Sequence, residues 1–287
     1  MKTLFYLISF LLISNIVYAQ YPLDMKRDYI WFTGNNNQLP TEKVIKIDFN
    51  NTIPNYIALP NFLLNFNGTS TGVCDTNGRL LFYTNGQKII DSTYQIMQNG
   101  DSMSTRYAPL GLRLTADGIA VNQPNTNKYL YISQGYNYNY PYFPRKKDTL
   151  LVSTIDMDAN NGKGSVTSKN VPFFEEYSQT IGFKLCRHAN GRDWWFIQPD
   201  TTYNKIYRFL ITPNGLDTLA PQVLNNDPLP AHSYINFTAF SPDGNKFGAT
   251  LADETGVLVY NFDRCTGLLS NLYKLDYGGC SSIKVID

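Results

Sequence analysis

The clearest candidate for a catalytic nucleophile is Ser70, which lies in the segment GTSTG at positions 68–72. This segment matches the pattern G-x-S-x-G, in which a sharp turn between a strand and a helix exposes a serine. Here the following residues predict a strand, a glycine turn and a second strand, with no helix. We therefore interpret Ser70 as part of a small-residue entry into a strand and assign no catalytic residue.

A second candidate is the acidic segment DMDANNG at positions 156–162, which resembles the start of a calcium-binding loop. Such a loop needs a glycine at its sixth position and a bidentate glutamate at its twelfth. Gly162 stands at the seventh position, and Thr167 stands where the glutamate is required. Because Asn-Gly is a strong hairpin signal, the sequence predicts a tight turn and no metal site.

The chain has two histidines, His188 and His232, and no C-x-x-C pair, so a zinc site of cysteine and histidine is not expected. His188 precedes Asp193 by five residues, and such a pair could orient a base for a nucleophile. No nucleophile lies near them in the sequence. We expect both side chains to form hydrogen bonds within one blade-like unit, and we expect no cofactor.

Two groups of aromatic residues could either contact a partner or fill a core. Trp194 and Trp195 are adjacent, so on a strand they point to opposite faces, and we expect both to pack. A tyrosine-rich stretch with two prolines, at positions 135–147, predicts a long loop suited to a glycan or protein surface. The alternative is a loop folded onto its own sheet. The predicted binding residues are Tyr136, Tyr138, Tyr140, Tyr142 and Phe143.

The N-terminal residues read as an export signal. Lys2 supplies the positive start, residues 4–17 form an apolar core, and a small-residue cleavage site ends at Ala19. We predict a mature domain of residues 20–287 and a periplasmic, cell-surface or extracellular location, with an uncleaved anchor as the alternative. No later apolar stretch approaches ~18 residues, so stable membrane insertion after cleavage is not expected.

The charge balance argues against two classes of partner. The sequence has 24 Lys and Arg against 23 Asp and Glu, and loss of Lys2 with the signal leaves 23 of each. A neutral chain lacks the positive surface expected of a protein that binds nucleic acid or anionic membranes. At 43% hydrophobic and 14% aromatic residues, the composition is too apolar for disorder.

Export permits disulfides, and the four cysteines are Cys74, Cys186, Cys265 and Cys280. Three complete pairings are open. Cys265 and Cys280 are closest in sequence, and closing a loop of ~15 residues would constrain the unfolded chain by about 3 kcal/mol. We name Cys265–Cys280 as the candidate disulfide and leave the other pairings open.

The chain as a whole reads as all-β. Short runs of aromatic and β-branched residues recur between Gly, Asn, Asp and Pro turns, and no stretch keeps a 3.6-residue period. Asn-Gly and Asp-Gly pairs supply the positive φ values that tight hairpins need. The predicted strands include positions 29–32, 44–49, 80–83, 129–132, 194–197 and 257–260.

The turn signals recur in pairs and reveal an internal repeat. Gly191 and Gly244 are 53 positions apart, Gly215 and Gly267 are 52 apart, and the segments around them align. Two earlier pairs of turns are predicted, at 77–78 with 99–100 and at 125–127 with 161–162. Four units emerge, each of ~40 to 50 residues and made of short strands, which is the signature of a β-propeller.

The predicted fold is therefore a β-propeller of four-stranded antiparallel blades; the rival fold, a β-sandwich, would not repeat. Residues 28–49 add two strands, or half a blade, and residues 277–287 offer at most one inner strand. The sequence predicts about five blades, which either close tightly or form an incomplete or open ring. The residues to which we assign structural roles in the blades are His188, Asp193, Trp194, Trp195, Asp243 and Gly244.

Several of these motifs resemble those of secreted bacterial propeller proteins of the WD40-like or YVTN-like superfamily. The similar segments are CDTNGRLLFYTNG at 74–86, IDM at 155–157, HANGRDWW at 188–195, FSPDG at 240–244 and FDRCTG at 262–267. Members of this kind usually continue through further blades, often to a secretion-system sorting domain, so the resemblance implies a chain truncated at its C-terminus. It implies no established catalytic activity.

These observations predict an exported, non-enzymatic propeller that serves as an interaction or scaffold module for a protein or glycan partner. Binding would occur at one mouth of the ring or through the tyrosine-rich loop. One alternative is an extracellular polysaccharide hydrolase or lyase, which would need carboxylates converging at the channel mouth. The other is a family fragment with no function of its own.

Overall fold

The computed structural model describes residues 26–34, 43–66, 70–104, 118–135, 148–176, 183–200, 204–224, 235–251 and 256–275. Within these ranges the chain forms eighteen β-strands in five antiparallel sheets, with a 3₁₀ turn at Asn160–Gly162. The prediction of an all-β protein is confirmed. No helix in the described ranges is long and apolar enough to cross a membrane.

The sheets are numbered here in chain order. Sheet 1 contains β1 (Ile30–Thr33), β2 (Val44–Asp48) and β3 (Asn55–Leu59), and sheet 2 contains β4 (Thr71–Cys74), β5 (Leu80–Thr84) and β6 (Ile89–Asp91). Sheet 3 contains β7 (Gly118–Asn122), β8 (Lys128–Gly135), β9 (Asp148–Asp156) and β10 (Ser165–Glu176). Sheet 4 contains β11 (Leu185–Arg187), β12 (Trp194–Pro199), β13 (Lys205–Thr212) and β14 (Gly215–Val223). Sheet 5 contains β15 (Ile235–Phe240), β16 (Lys246–Leu251), β17 (Val257–Asp263) and β18 (Leu268–Leu275).

Sheets 3, 4 and 5 are the predicted four-stranded antiparallel blades, in which consecutive strands pair in order. Sheets 1 and 2 have three strands each. Sheet 1 therefore has one strand more than the half-blade predicted from residues 28–49, because β3 follows that segment. Five sheets agree with the predicted number of about five blades.

The glycine turns join the strands largely as predicted. Gly78, Gly191, Gly244 and Gly267 all have positive φ, between 70° and 83°, which a residue with a Cβ adopts at a cost. An additional turn precedes the predicted turn at 99–100 in sheet 2, where the Tyr94 amide bonds the Asp91 carbonyl directly after β6.

Each sheet packs face to face on the next one in the chain. Strand β8 shows why, because its alternate side chains are buried on both faces: Tyr129 and Tyr131 face sheet 2, and Leu130 and Ile132 face sheet 4. Large residues in the four successive inter-sheet clusters include Phe32 and Tyr83, Phe82 and Tyr131, Ile132 and Phe209, and Trp195 and Phe262.

The first strands of sheets 2 and 3 lie beside one another, as the inner strands of a propeller do. Strand β4 lies beside β7 in parallel, since the hydroxyl of Thr71 bonds the carbonyl of Gly118 and both residues begin their strands. No core cluster among the described residues joins sheet 5 to sheet 1. The sheets are blades of a propeller whose ring is not closed across the described ranges.

The first strand of sheet 1 runs in the direction opposite to the first strand of sheet 2. The Cys74 amide bonds the carbonyl of Arg27, and the Ser70 hydroxyl bonds the carbonyl of Phe32. Residues at the end of β4 thus lie near the start of β1, so the two strands run antiparallel. Strand β1 therefore has the direction of a second blade strand, and the residues that the structure describes contain no strand of sheet 1 that runs parallel to β4 beside it.

Several predictions concern residues outside the described ranges. These are the export signal at residues 1–19, the binding residues of the tyrosine-rich loop, from Tyr136 to Phe143, the disulfide partner Cys280 and the inner strand proposed within 277–287. They stay predictions.

Candidate functional site

The candidate binding surface is an aromatic group on sheet 1, formed by Trp31, Phe49 and Tyr56 and called here the aromatic patch. Trp31 on β1 pairs with Ile47 on β2, and Ile47 pairs with Tyr56 on β3. The side chains of Trp31, Ile47 and Tyr56 therefore lie on one face of sheet 1. Phe49 follows two residues after Ile47 and lies on the same face. Alternation along the three strands therefore brings these residues together.

This face of sheet 1 is turned away from sheet 2. Ile30 and Phe32, on the other face of β1, are 3% and 2% exposed and belong to the core shared with sheet 2. In contrast, Trp31 is 51% exposed and Tyr56 is 66% exposed. Two strand spacings separate Trp31 from Tyr56, which places their backbones about 10 Å apart.

The indole of Trp31 is held in one orientation. Its Nε1–H donates to the carbonyl of Asp28 at 2.7 Å, and its ring meets the edge of Phe49 with centroids 5.1 Å apart. Such edge-to-face pairs are worth about 0.5–1.5 kcal/mol beyond buried area. The patch therefore presents a large aromatic ring at little further cost in side-chain entropy, as a binding surface needs.

Sheet 5 has a second exposed apolar face, on the side opposite sheet 4. Its last strand carries Tyr273 at 57% exposed and Leu275 at 47% exposed, opposite Val259 and Val257 on β17. Leu258 and Phe262 of β17 instead face the core shared with sheet 4. The first and last sheets thus each expose an apolar face.

The predicted blade residue His188 lies at the junction of sheets 4 and 5. Its Nδ1 accepts the amide of Asn190 at 3.0 Å, and its Nε2 lies 3.1 Å from the carbonyl of Cys265. Because Nδ1 accepts, the neutral ring carries its proton on Nε2 and donates to Cys265. The ring stacks on Trp195 at 5.4 Å. His188 therefore bonds within its own sheet and also across to the next.

The carboxylate of Asp193 forms hydrogen bonds with Arg192 and Asn190 and not with the His188 ring. The carboxylate accepts from Nε of Arg192 at 2.7 Å and from Nδ2 of Asn190 at 2.8 Å, while the Asp193 carbonyl accepts the amide of His188. The Arg192 hydrogen bonds hold the pKa of Asp193 below its usual value. The carboxylate is thus committed to a turn, and the structure does not pair it with the imidazole as a base-orienting group would be.

The other predicted blade residues bind sheets together. Trp194 packs in the cluster between sheets 3 and 4, and Trp195 packs in the cluster between sheets 4 and 5. The Trp195 Nε1–H donates to the carbonyl of Arg264 at 2.8 Å. Asp243 accepts the amide of Asn245 in the turn that contains Gly244. These side chains lie in cores and turns.

The two motifs weighed for catalysis and calcium also have structural partners. The Ser70 hydroxyl lies 2.6 Å from the hydroxyl of Tyr83, and residues 67–69 lie outside the described ranges. Asp156 accepts the amide of Asp158 and pairs with Lys128 at 3.5 Å. Among the described residues, no group of three or more His, Cys, Asp or Glu side chains is placed to hold a metal ion.

The cysteines differ in exposure. Cys74 and Cys186 are buried, and burial raises the pKa of their thiols to about 11 and about 12. Cys265 is exposed in the turn between β17 and β18. Its proposed partner Cys280 lies outside the described ranges, so the pairing stays a prediction.

Sequence reasoning placed Trp31 in a strand and did not identify the aromatic patch. The alternation of Trp31 with two buried neighbours was the available signal, since alternate residues of a strand share a face. That signal says that Trp31 faces away from Ile30 and Phe32. It does not say which of the two faces meets another sheet.

No family model matches the chain, and no curated protein matches it. Among solved structures, a Bacteroides uniformis protein provisionally assigned as a 6-phosphogluconolactonase is 14% identical with a TM-score of 0.43, covering 86% of this chain and 67% of that one. The periplasmic gluconolactonase PpgL of Pseudomonas aeruginosa is 12% identical with a TM-score of 0.35, covering 88% and 69%. The β-propeller domain of Cps50 (Swd1) from Myceliophteria thermophila is 14% identical with a TM-score of 0.33, covering 86% of each chain.

The chain spans about two thirds of the length of the first bacterial structures that it matches, between 64% and 67%. The identities and TM-scores are low. The propeller assignment therefore rests on the order, pairing and successive packing of the five sheets in this chain.

Proposed function

We propose that the protein is an exported, non-enzymatic β-propeller module that binds a carbohydrate through the aromatic patch. Export is supported by the signal-like residues 1–19. The observation that carries the binding proposal is the fixed, half-exposed indole of Trp31 on the same face as the exposed ring of Tyr56. Exposed aromatic groups of this kind mark interaction sites.

A carbohydrate is the ligand class that suits this surface. The C–H faces of a pyranose ring stack on an aromatic ring, while its hydroxyl groups remain in water or bond to nearby polar groups. The spacing of about 10 Å between Trp31 and Tyr56 would let one linear oligosaccharide contact both rings. Asp28 is exposed and lies three residues before Trp31, so it supplies a polar group near the patch.

The test measures binding of the mature chain to a panel of soluble and insoluble polysaccharides. We expect saturable binding, and a loss of at least about fivefold for Trp31→Ala and for Tyr56→Ala, since an aromatic anchor is worth about 1–3 kcal/mol. Tyr273→Ala removes a comparably exposed tyrosine from sheet 5 and should leave binding unchanged. Equal binding by all three variants would contradict the proposal for this site.

The same assay addresses catalysis. Release of reducing or unsaturated sugar ends by the purified chain would favour the alternative of a polysaccharide hydrolase or lyase. Binding without such release is the result that the proposal requires.

A second candidate function is association between sheets of different molecules. It is favoured by the exposed apolar face of sheet 5 around Tyr273 and Leu275, which is the same kind of face that packs between consecutive sheets elsewhere in the chain. Association would make the oligomeric state depend on Tyr273. Size-exclusion chromatography with light scattering on the parent chain and on Tyr273→Ala distinguishes this candidate from carbohydrate binding.

A further inference from the structure

The Asn-Gly turns that define the repeat also carry chemistry of their own. In such a pair the amide nitrogen of glycine attacks Cγ of the asparagine, forms a new C–N bond and expels the side-chain nitrogen as ammonia. One water then opens the cyclic imide to aspartate or isoaspartate. The described ranges contain six of these pairs, at 77–78, 85–86, 99–100, 161–162, 190–191 and 214–215.

In two of the six pairs, several hydrogen bonds hold the side-chain amide of the asparagine, which is the group that is attacked. The Oδ1 atom of Asn190 accepts the amides of Arg192 and Asp193, each at 3.0 Å, and its Nδ2 donates to Asp193 at 2.8 Å. Asn85 is 2% exposed, and its Oδ1 accepts two backbone amides while its Nδ2 donates to the carbonyl of Asn65. Neither side chain is free to turn toward the nitrogen that must attack it.

In two further pairs, neighbouring atoms enclose the glycine, and in one of them a hydrogen bond also holds the asparagine side chain. Gly78 is buried against the side chain of Asn50, whose Nδ2 bonds the Gly78 carbonyl at 2.9 Å. Asn99 donates from Nδ2 to the carbonyl of Val166 at 3.3 Å, and Gly100 is buried close to backbone atoms of Ile89. In both pairs the approach of the two reacting groups is restricted.

The remaining pairs are open. Asn161 and Asn214 are exposed, and neither side-chain amide has a hydrogen-bond partner among the described residues. A Cβ placed on Gly162 or on Gly215 would meet nothing within 4 Å, so neither glycine is enclosed by neighbouring side chains. Gly162 and Gly215 thus differ from Gly78, where the same Cβ would overlap the Asn50 side chain. The Gly162 amide donates to the Ala159 carbonyl at 3.1 Å, as the Gly191 amide does to the His188 carbonyl at 2.9 Å, so the difference between the two pairs lies in the asparagine side chain.

We propose that Asn161 and Asn214 are sites of spontaneous deamidation in the folded protein, whereas the hydrogen-bonded Asn85 and Asn190 are protected. The modification replaces a neutral amide by a carboxylate in two solvent-exposed turns.

Modification at Asn214 has a structural consequence. Residues 213 and 214 form the two-residue turn between β13 and β14, and the carbonyl of Pro213 accepts Nε2 of Gln123 at 2.6 Å. That bond joins sheet 4 to sheet 3. An isoaspartate would add one methylene to the backbone of this tight turn, so the modified turn should hold the Pro213 carbonyl less well.

The experiment incubates the folded mature chain in mildly alkaline buffer, digests samples with trypsin over time and measures by mass spectrometry the conversion of each asparagine. We expect conversion at Asn161 and Asn214 to exceed that at Asn85 and Asn190 by at least about tenfold, since protected sites react only after local opening. Chain unfolded in denaturant should lose most of this difference, because the six pairs have the same local chemistry.

A variant provides the matched control. Asn50→Ala removes the side chain that encloses Gly78 and should raise conversion at Asn77 while leaving conversion at Asn161 and Asn214 as it was. Equal rates at all six sites in the folded chain, or faster reaction at Asn190 than at Asn214, would overturn the proposal. The readout is independent of any ligand, so it also stands apart from the test of carbohydrate binding.

Discussion

The hydroxyl of Tyr83 on β5 lies 3.1 Å from the amide nitrogen of Phe32 on β1. The same hydroxyl lies 2.6 Å from the Ser70 hydroxyl, which donates to the carbonyl of Phe32 at 3.3 Å. Along β1, the backbone groups of alternate residues point toward β2. Those of Phe32 point away from β2, so the groups bonded by Tyr83 and Ser70 lie on the edge of β1 opposite β2. Side chains of sheet 2 thus take the place of a neighbouring strand at this edge, which limits the hazard of an unpaired edge.

Replacing Tyr83 by phenylalanine should destabilise the protein by about 1–3 kcal/mol, because the buried Phe32 amide would lose this partner. Tyr83 is 4% exposed, so water cannot readily substitute. Urea unfolding of Tyr83→Phe and of the control Tyr273→Phe, at a tyrosine that is 57% exposed, measures the difference. Equal midpoints for the two variants would contradict the assigned role.

Two glycines with similar backbone angles should respond differently to alanine. Gly244 has φ +73° and Gly162 has φ +80°, so each alanine pays about 1–2 kcal/mol of left-handed strain. A Cβ at Gly244 would also lie 2.7 Å from the sulfur of buried Cys186, which adds about 1–3 kcal/mol of overpacking. Gly244→Ala should therefore unfold at lower urea concentration than Gly162→Ala. The reverse order would show that the Cys186 contact relaxes.

Acid should weaken the turn between β17 and β18. The hydroxyl of Thr266 and the amide of Cys265 bond the Asp263 carboxylate and hold its pKa below the usual value. A carboxylate whose pKa is lower in the folded state contributes stability above its unfolded pKa of about 3.9, and this contribution is lost as pH falls through the folded pKa.

Asp263→Asn keeps an oxygen acceptor for the Cys265 amide but does not titrate. Its free energy of unfolding should therefore fall less steeply below about pH 4 than that of the parent chain. The exposed Asp217→Asn controls for the loss of one negative charge. Urea titrations across the acid range give the slopes, and identical slopes for parent and Asp263→Asn would refute this assignment.

The thiols should divide into two classes under native conditions. Burial raises the pKa of Cys74 to about 11 and that of Cys186 to about 12, so neither should react with a thiol reagent at neutral pH until the chain unfolds. Exposed Cys265 should be labelled at once if reduced, and only after reductant if the predicted bond to Cys280 has formed. Labelling of Cys186 in the native chain would contradict the packing of sheets 4 and 5.

Much of the local structure could be predicted because strands and turns depend on nearby residues. The apolar run around Trp195 and the Asn-Gly pair at 190–191 specify a hairpin with little help from the rest of the chain. The additional turn directly after β6, which was not predicted, shows the limit. There the Asp91 carboxylate bonds the amide of Thr93 and supports an earlier reversal that the Asn-Gly signal does not reveal.

The sequence by itself determined the all-β class, the repeat and the alternation that separates the two faces of each strand, since these follow from backbone geometry and residue spacing. Only the tertiary structure decided which face is buried. Trp31 and Trp195 are both tryptophans in strands, yet one is 51% exposed and the other 2%. The difference arises because sheet 5 covers Trp195, while no described sheet covers Trp31, and such long-range packing has no counterpart in local sequence.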